Sequence, residues 1–328
     1  MDGLLKCSIN NRVRVNKMII SASRRTDIPN YYSEWFYNRI KDGYVLVPNP
    51  MNTHQLSSIN IMPEVVDCIV FWTKNPAPMM NRLNELQEYR YYFQFTLNSY
   101  GKDIEPNVPS KKEEVIETFK RLSEKIGSEK VIWRYDPILL NEDYSIDYHL
   151  TYFEKIASKL KGYTNKCTIS FIDLYRNTAN NVKNLNLDVL ITENKRIIAK
   201  GFSKIANEND LILDTCAEDI ELLDLNISHS RCIDGKLIEK IIGSKINVQK
   251  DKGQRLECGC VESIDIGMYN TCRNGCKYCY ANYSVNTVNK NSQIHQRNSP
   301  MICGVPTDND KITVRNVKSI KINQLDLF

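Results

Sequence analysis

Short apolar runs recur along the first two thirds of the chain, each followed by a stretch of helical spacing. The runs fall at 18–22 (MIISA), 65–72 (VVDCIVFW), 91–97 (YYFQFTL), 130–135 (KVIWRY), 166–172 (KCTISFI) and 210–215 (DLILDT). They are almost continuously apolar and rich in β-branched and aromatic residues. That is the pattern of strands buried on both faces, as in a parallel sheet. Between them, residues 113–126 place Val115, Ile116, Phe119, Leu122 and Ile126 on one helical stripe. Residues 148–160 and 193–207 behave in the same way, and Ser110 with Glu113 reads as a capping box. Six alternations of strand and helix predict an α/β fold, a partial or full (β/α) barrel. No glycine-rich loop follows a strand, so a dinucleotide-binding sheet is not expected.

Polar residues gather after each run. Ser23, Arg24, Arg25, Thr26 and Asp27 follow the first; Thr73, Lys74 and Asn75 follow the second; Asn98, Asp136, Asp173 and Glu218 follow others. In barrels the C-terminal strand ends carry the active site, although strands also end in polar loops for no functional reason. Two guanidiniums beside a strand end suit a phosphate or carboxylate, which makes Arg24, Arg25 and Asp27 the catalytic candidates. Glu218, at the end of the sixth run, is a candidate for cofactor binding.

Composition narrows the class. The chain has 328 residues, 44 Lys+Arg, 39 Asp+Glu and a formal net charge of +5, ordinary values that exclude a disordered chain. No run approaches 18 apolar residues, and residues 1–17 form a polar leader without a signal-peptide core, so a cytoplasmic, non-membrane protein is expected. The mild positive charge permits a nucleic-acid partner without arguing for one. Eleven cysteines are many for such a chain, and eight of them (Cys216, Cys232, Cys258, Cys260, Cys272, Cys276, Cys279 and Cys303) lie in the last third. In a reducing compartment, cysteines at this density point to metal or catalysis rather than to disulfides.

The densest group is Thr271-Cys272-Arg273-Asn274-Gly275-Cys276-Lys277-Tyr278-Cys279-Tyr280, spaced C-x3-C-x2-C. Three thiolates on one compact loop can hold three irons of a cubane cluster and leave the fourth open. The alternative is zinc, which prefers four ligands and would recruit Cys258, Cys260 or Cys303. Outside the loop, Cys216, Cys232, Cys258 and Cys260 could hold a second iron–sulfur cluster or a zinc; otherwise they are incidental.

The C-x3-C-x-aromatic-C loop, with Tyr278 before its last cysteine, resembles the cluster loop of the radical S-adenosylmethionine (SAM) superfamily. The resemblance implies a 4Fe-4S cluster on Cys272, Cys276 and Cys279, whose open iron binds SAM. It further implies reductive cleavage of SAM to a radical that abstracts hydrogen from substrate, with Tyr278 and Glu218 near the cofactor. Residues 262–269 would be the strand leading into the loop. In most of that superfamily the loop follows the first barrel strand, whereas only 49 residues follow Cys279 here. The barrel is therefore circularly permuted, or the cluster belongs to an appended module. The Gly-Gly-Glu segment usual for the SAM amino group is not found.

Over nearly its full length the chain also resembles an uncharacterised bacterial family known as a domain of unknown function (number 1848). The segments that carry this are Ser21-Ala22-Ser23-Arg24-Arg25-Thr26-Asp27-Ile28-Pro29, Phe71-Trp72-Thr73-Lys74-Asn75-Pro76, Arg134-Tyr135-Asp136-Pro137, Cys216-Ala217-Glu218, Cys232-Ile233-Asp234 and the cysteine-rich stretch up to Asn282. This likeness implies an architecture but no activity.

The chain ends Gln324-Leu325-Asp326-Leu327-Phe328, after a segment carrying Lys311, Arg315, Lys318 and Lys321. This resembles the peptide by which bacterial repair and replication proteins dock on the DNA sliding clamp, the Leu and Phe filling apolar pockets. The alternative is a final strand in which Ile312, Val314, Val317, Ile320 and Ile322 pack on the body. The organisation expected is a barrel body over 1–243, a cysteine-rich cluster segment over 244–303 packed on it, and a basic tail over 304–328. The expected function is that of an iron–sulfur, SAM-dependent radical enzyme, acting on nucleic acid in DNA repair. The alternatives are a zinc-binding, nucleic-acid-associated protein without catalysis, or a radical enzyme acting on a small molecule or peptide.

Overall fold

The structure is a computed structural model that describes residues 18–174 and 178–315. Its eleven strands are β1 (Met18–Ala22), β2 (Tyr44–Asn49), β3 (Asn52–Asn60), β4 (Val66–Thr73), β5 (Tyr91–Thr96), β6 (Val131–Ile138), β7 (Lys166–Phe171), β8 (Ile212–Thr215), β9 (Ser228–His229), β10 (Ile264–Asp265) and β11 (Lys311–Val314). Eight of them form one sheet in the order β10-β1-β4-β5-β6-β7-β8-β9. Every pairing in it is parallel. The protein is thus an α/β protein, and all six apolar runs become strands of this sheet.

The helices Ile116–Ile126, Ile146–Leu160 and Thr192–Glu208 fill the crossovers after β5, β6 and β7. The first begins with a wide π turn over Lys111–Val115. Ser110 Oγ accepts the Glu113 N–H as expected, at 3.4 Å, but the carboxylate that returns to the Ser110 N–H is that of Glu114, at 3.3 Å. The wider turn moves the acidic partner of the capping box one residue along.

Alternate residues of the strands face two different layers. Ile20, Phe71, Phe93, Trp133 and Ile169 belong to the larger core beneath the helices. In that core Trp133, Phe153 and Phe202 stack in series, with centroids 4.8 and 3.8 Å apart. Trp35, Trp133 and Tyr135 are fully buried there, so none is placed to stack on a nucleic-acid base. Ile19, Cys68, Val70, Tyr92 and Ile132 face the other way. They pack against Cys232, Ile233, Ile238, Ile246, Cys258, Cys260 and Val261, so the chain between β9 and β10 covers the second face of the sheet.

The hairpin of β2 and β3 was not legible in the sequence. It forms a separate three-stranded sheet in the order β11-β3-β2, with β11 parallel to β3. A final strand does form, as β11, but its Ile312 and Val314 are 52% and 73% exposed, and Val317, Ile320 and Ile322 lie outside the described residues. Residues 324–328, the clamp-like peptide, lie outside the described residues. Among the described residues, no helix is long and apolar enough to cross a membrane.

Candidate functional site

The C-terminal ends of β1, β4, β6, β7 and β8 open onto one cavity of about 410 Å³. Both cysteine groups reach it: Cys272 and Cys279 from the contiguous loop, and Cys216, Cys232, Cys258 and Cys260 from the dispersed set. Arg24, Arg25, Asp27, Trp72, Lys74, Arg134 and Tyr278 complete the part of the wall that bears on chemistry.

The contiguous loop follows β10, a strand of only two residues within the stretch 262–269, which the sequence pattern had offered whole. β10 pairs with β1 through Ile20 opposite Ile264 and Ser21 opposite Asp265. Asp265 fastens this junction. Its carboxylate accepts from Ser21 Oγ at 2.9 Å, Ser23 Oγ at 2.6 Å, the Arg24 N–H at 2.8 Å and the Gly267 N–H at 2.9 Å. A Cβ on Gly267 would lie 1.9 Å from Ser23 Oγ, so glycine is what lets the two chains approach. Sequence reading passed over Asp265, because a single carboxylate inside a strand carries no motif.

Asp27 performs a second fastening. Its Oδ2 accepts the Lys74 N–H at 2.8 Å and Asn274 Nδ2 at 3.1 Å, and its Oδ1 accepts the Asn30 N–H at 3.1 Å. One buried carboxylate therefore ties β1, β4 and the cysteine loop together. Burial pushes its pKa up, while these donors oppose the rise. Gly275 takes φ of 70°, the left-handed turn that brings Cys276 back toward Cys272.

Two of the three loop sulfurs accept backbone hydrogen bonds: Cys272 from the Asn274 and Asp27 N–H groups, and Cys279 from the Ala281 and Asn282 N–H groups. Such N–H donors favour thiolates. Burial nonetheless pushes the Cys272 thiol up to about 12 and raises Cys276 and Cys279 as well, so metal binding at this loop would release protons.

A buried ion cluster lies next to Cys276. Glu105 Oε1 meets Lys74 Nζ at 2.7 Å and its Oε2 meets Lys111 Nζ at 2.6 Å. Tyr278 donates its hydroxyl proton to Glu105 and accepts from Asn98 Nδ2 at 3.1 Å. Burial drives the Glu105 carboxyl upward, but the two ammonium groups outweigh it and hold it at about 2. Tyr278, a candidate cofactor residue, is thus both a cavity wall and a link from the loop to this cluster. No sequence pattern marked Glu105.

Arg24 and Arg134 lie over the Trp72 ring, 5.7 and 5.3 Å from its centroid. Arg24 also meets Asp251 at 3.6 Å, and Arg25 lies 4.9 Å over Tyr269. Arg134 Nε donates to Asp136 at 3.0 Å, and its Nη1 donates to Cys232 Sγ at 2.7 Å. Arg24 Nη2, Thr26 Oγ1 and Trp72 Nε1 are buried polar atoms of this wall without a hydrogen-bond partner among the described residues. Unmet donors of this kind call for an acceptor supplied from outside the chain. Glu218 is used otherwise. Its carboxylate accepts the Phe171 N–H at 2.8 Å and meets Lys195 at 3.2 Å, and it does not line the cavity.

The dispersed cysteines come from three places: after β8, after β9, and from the Cys258-Gly259-Cys260 turn. Cys216 and Cys232 sulfurs stand 2.9 Å apart. Cys232, Cys260 and Cys258 perturb one another's thiols, and Cys260 lowers that of Cys258 to about 7. Cys68 and Cys167 are buried strand residues, and Cys303 is buried beside the Tyr32 hydroxyl. Among the described residues, no group of three or more His, Cys, Asp or Glu side chains is arranged so as to hold a metal ion.

No curated protein matches the chain. The stretch from β1 through the last cysteine of the loop, residues 19–281, is the part that builds the sheet, both cysteine groups and the cavity between them. That same stretch matches the family described as a domain of unknown function, DUF1848, to which the chain therefore belongs.

Proposed function

We propose that the protein is an iron–sulfur enzyme that uses SAM for radical chemistry, with Cys272, Cys276 and Cys279 holding a 4Fe-4S cluster. The observation that carries this reading is the cavity, where a C-x3-C-x2-C loop and three buried, partnerless polar atoms meet at the C-terminal ends of a parallel sheet. The donor set fits the group: three thiols on one turn, two of them already receiving backbone N–H bonds. When bound, the cluster supplies an electron and, with SAM at its open iron, a radical able to remove a hydrogen atom from substrate. The chain's own residues do the rest. Arg24 and Trp72 turn unmet donors toward the cavity, suited to a carboxylate such as that of SAM. Lys74 brings a positive charge close to Cys276 and Cys279. Asp27 and Asp265 hold the loop against β1 and β4.

The sheet reads best as a partial (β/α) barrel that is circularly permuted. β10 precedes β1 in space although it follows it in sequence, which returns the loop to the end of the leading strand. The substrate reading is nucleic acid, as expected for a repair enzyme. Beside the first cavity lies a second of about 510 Å³, walled by Arg24, Arg25 and Arg315 and also by Asp251 and Asp265; the three guanidiniums are the groups that would meet phosphates.

The test is anaerobic purification followed by iron and sulfide analysis, then spectroscopy of the reduced protein with and without SAM. The expected result is four irons with matching sulfide and a SAM-dependent change in the cluster signal. Absence of iron, with zinc alone bound, would sink the radical reading. Binding to single-stranded DNA that weakens steeply with salt would support the substrate assignment, and equal affinity for a neutral polymer would remove it.

A further inference from the structure

The dispersed cysteines are not needed by the radical reading, and they are too well assembled to be leftovers. Their sequence separations give no reason for contact: Cys216, Cys232 and the Cys258–Cys260 turn are joined by a helix and two loops. Yet the fold brings all four to the wall of one cavity, with the Cys216 and Cys232 sulfurs 2.9 Å apart. The surroundings also suit a thiolate set. Arg134, buried, donates Nη1 to Cys232 Sγ at 2.7 Å, and the Ile233 N–H donates to Cys260 Sγ at 3.3 Å. A guanidinium and a backbone N–H aimed at sulfur are the outer partners that stabilise charged thiolates around an ion.

From this we infer that Cys216, Cys232, Cys258 and Cys260 form a second metal site, a tetrathiolate centre for one thiophilic divalent ion, of which zinc is the best fit. The spacing decides between one ion and a cluster. A single tetrahedral ion with Zn–S near 2.3 Å separates its sulfurs by roughly 3.8 Å, whereas a cubane interposes its own core between them. The Cys216 and Cys232 sulfurs, 2.9 Å apart, are much nearer the first arrangement than the second. The ion would share the cavity with the contiguous loop, since the four cysteines and Arg134 line it together with Cys272 and Cys279.

The experiment separates this site from the cluster. The full chain carrying Cys272→Ser, Cys276→Ser and Cys279→Ser together is purified without added metal, and its metals are counted by mass spectrometry. Thiol alkylation is followed before and after a strong chelator. The expected result is one bound zinc, or one iron without sulfide, and four thiols that alkylate only after chelation. Adding Cys232→Ser to that variant should remove the metal, while adding Cys303→Ser should leave it. A folded triple-serine variant with no bound metal overturns the proposal, and so do four irons with sulfide retained by it. Because the loop cysteines are absent from this protein, failure of the radical reading does not change the outcome.

Discussion

The two cysteine groups reach one cavity by opposite routes. Cys272, Cys276 and Cys279 sit within eight residues, and a single left-handed glycine, Gly275, suffices to fold their loop. Their local closeness needs little help; what they require is anchoring, which two remote carboxylates, Asp27 and Asp265, and the Glu105 ion cluster provide. The second group has the reverse balance. Its members lie up to 44 residues apart, from Cys216 to Cys260, and nothing local brings them together. They meet because the chain between β9 and β10 must cover the apolar second face of the sheet, with Ile233, Ile238 and Val261 as the covering residues. Cysteines close in sequence depend on polar fastenings, and cysteines distant in sequence depend on the hydrophobic layer.

This contrast breaks most strongly at the ligands. Serine at Cys272, Cys276 and Cys279 should abolish iron and sulfide binding, read by chemical analysis and loss of visible absorption, while the far-ultraviolet circular dichroism stays native. Next comes Glu105→Gln. Removing the charge leaves Lys74 and Lys111 buried and uncompensated, at a cost of about 3–5 kcal/mol in denaturant unfolding. The sign with pH follows from the lowered carboxyl. Glu105 contributes its full stability above the ordinary value of 4.5, and that contribution is lost as pH falls toward about 2. In an acid titration the wild type should therefore lose stability over that window, and Glu105→Gln should lose less.

A smaller effect is expected where the loop meets β1. Gly267→Ala forces Ser23 aside and disrupts the Asp265 fastening, destabilising the protein by about 1–3 kcal/mol. The same change should lower iron content in the loop without altering the metal count of the dispersed set, which would separate the two anchoring modes. Smallest of all is Trp72→Phe. It removes a buried donor that has no partner, so stability without ligand should change by less than about 1 kcal/mol. Affinity for SAM, followed by calorimetry on the reconstituted protein, should fall; unchanged affinity would take Trp72 out of the binding wall.

Much of this was legible before any coordinates. The six apolar runs became strands within a few residues of their expected limits, because continuous burial on both faces leaves a signal in composition alone. The C-x3-C-x2-C loop and the strand-end residues Arg24, Arg25 and Asp27 also reached the cavity. Asp27 gained a meaning that no pattern carried, since its partners Lys74 and Asn274 are 47 and 247 residues away. Glu218, equally polar and equally placed after a strand, turned to Phe171 and Lys195 instead. Of the β2–β3 hairpin, β3 is largely polar and exposed and leaves little signal, whereas β2 carries a buried apolar run, Val45 to Val47, that the sequence reading passed over.

What the chain's order of residues determined by itself is local: strand identity, helical stripes and the three-cysteine turn, each set by interactions within a few positions. What only the tertiary structure decided is adjacency: β10 beside β1, Glu105 between two lysines, and four scattered thiols on one cavity wall. Adjacency of that kind depends on which faces must be buried together, and burial is a property of the whole sheet rather than of any segment in it.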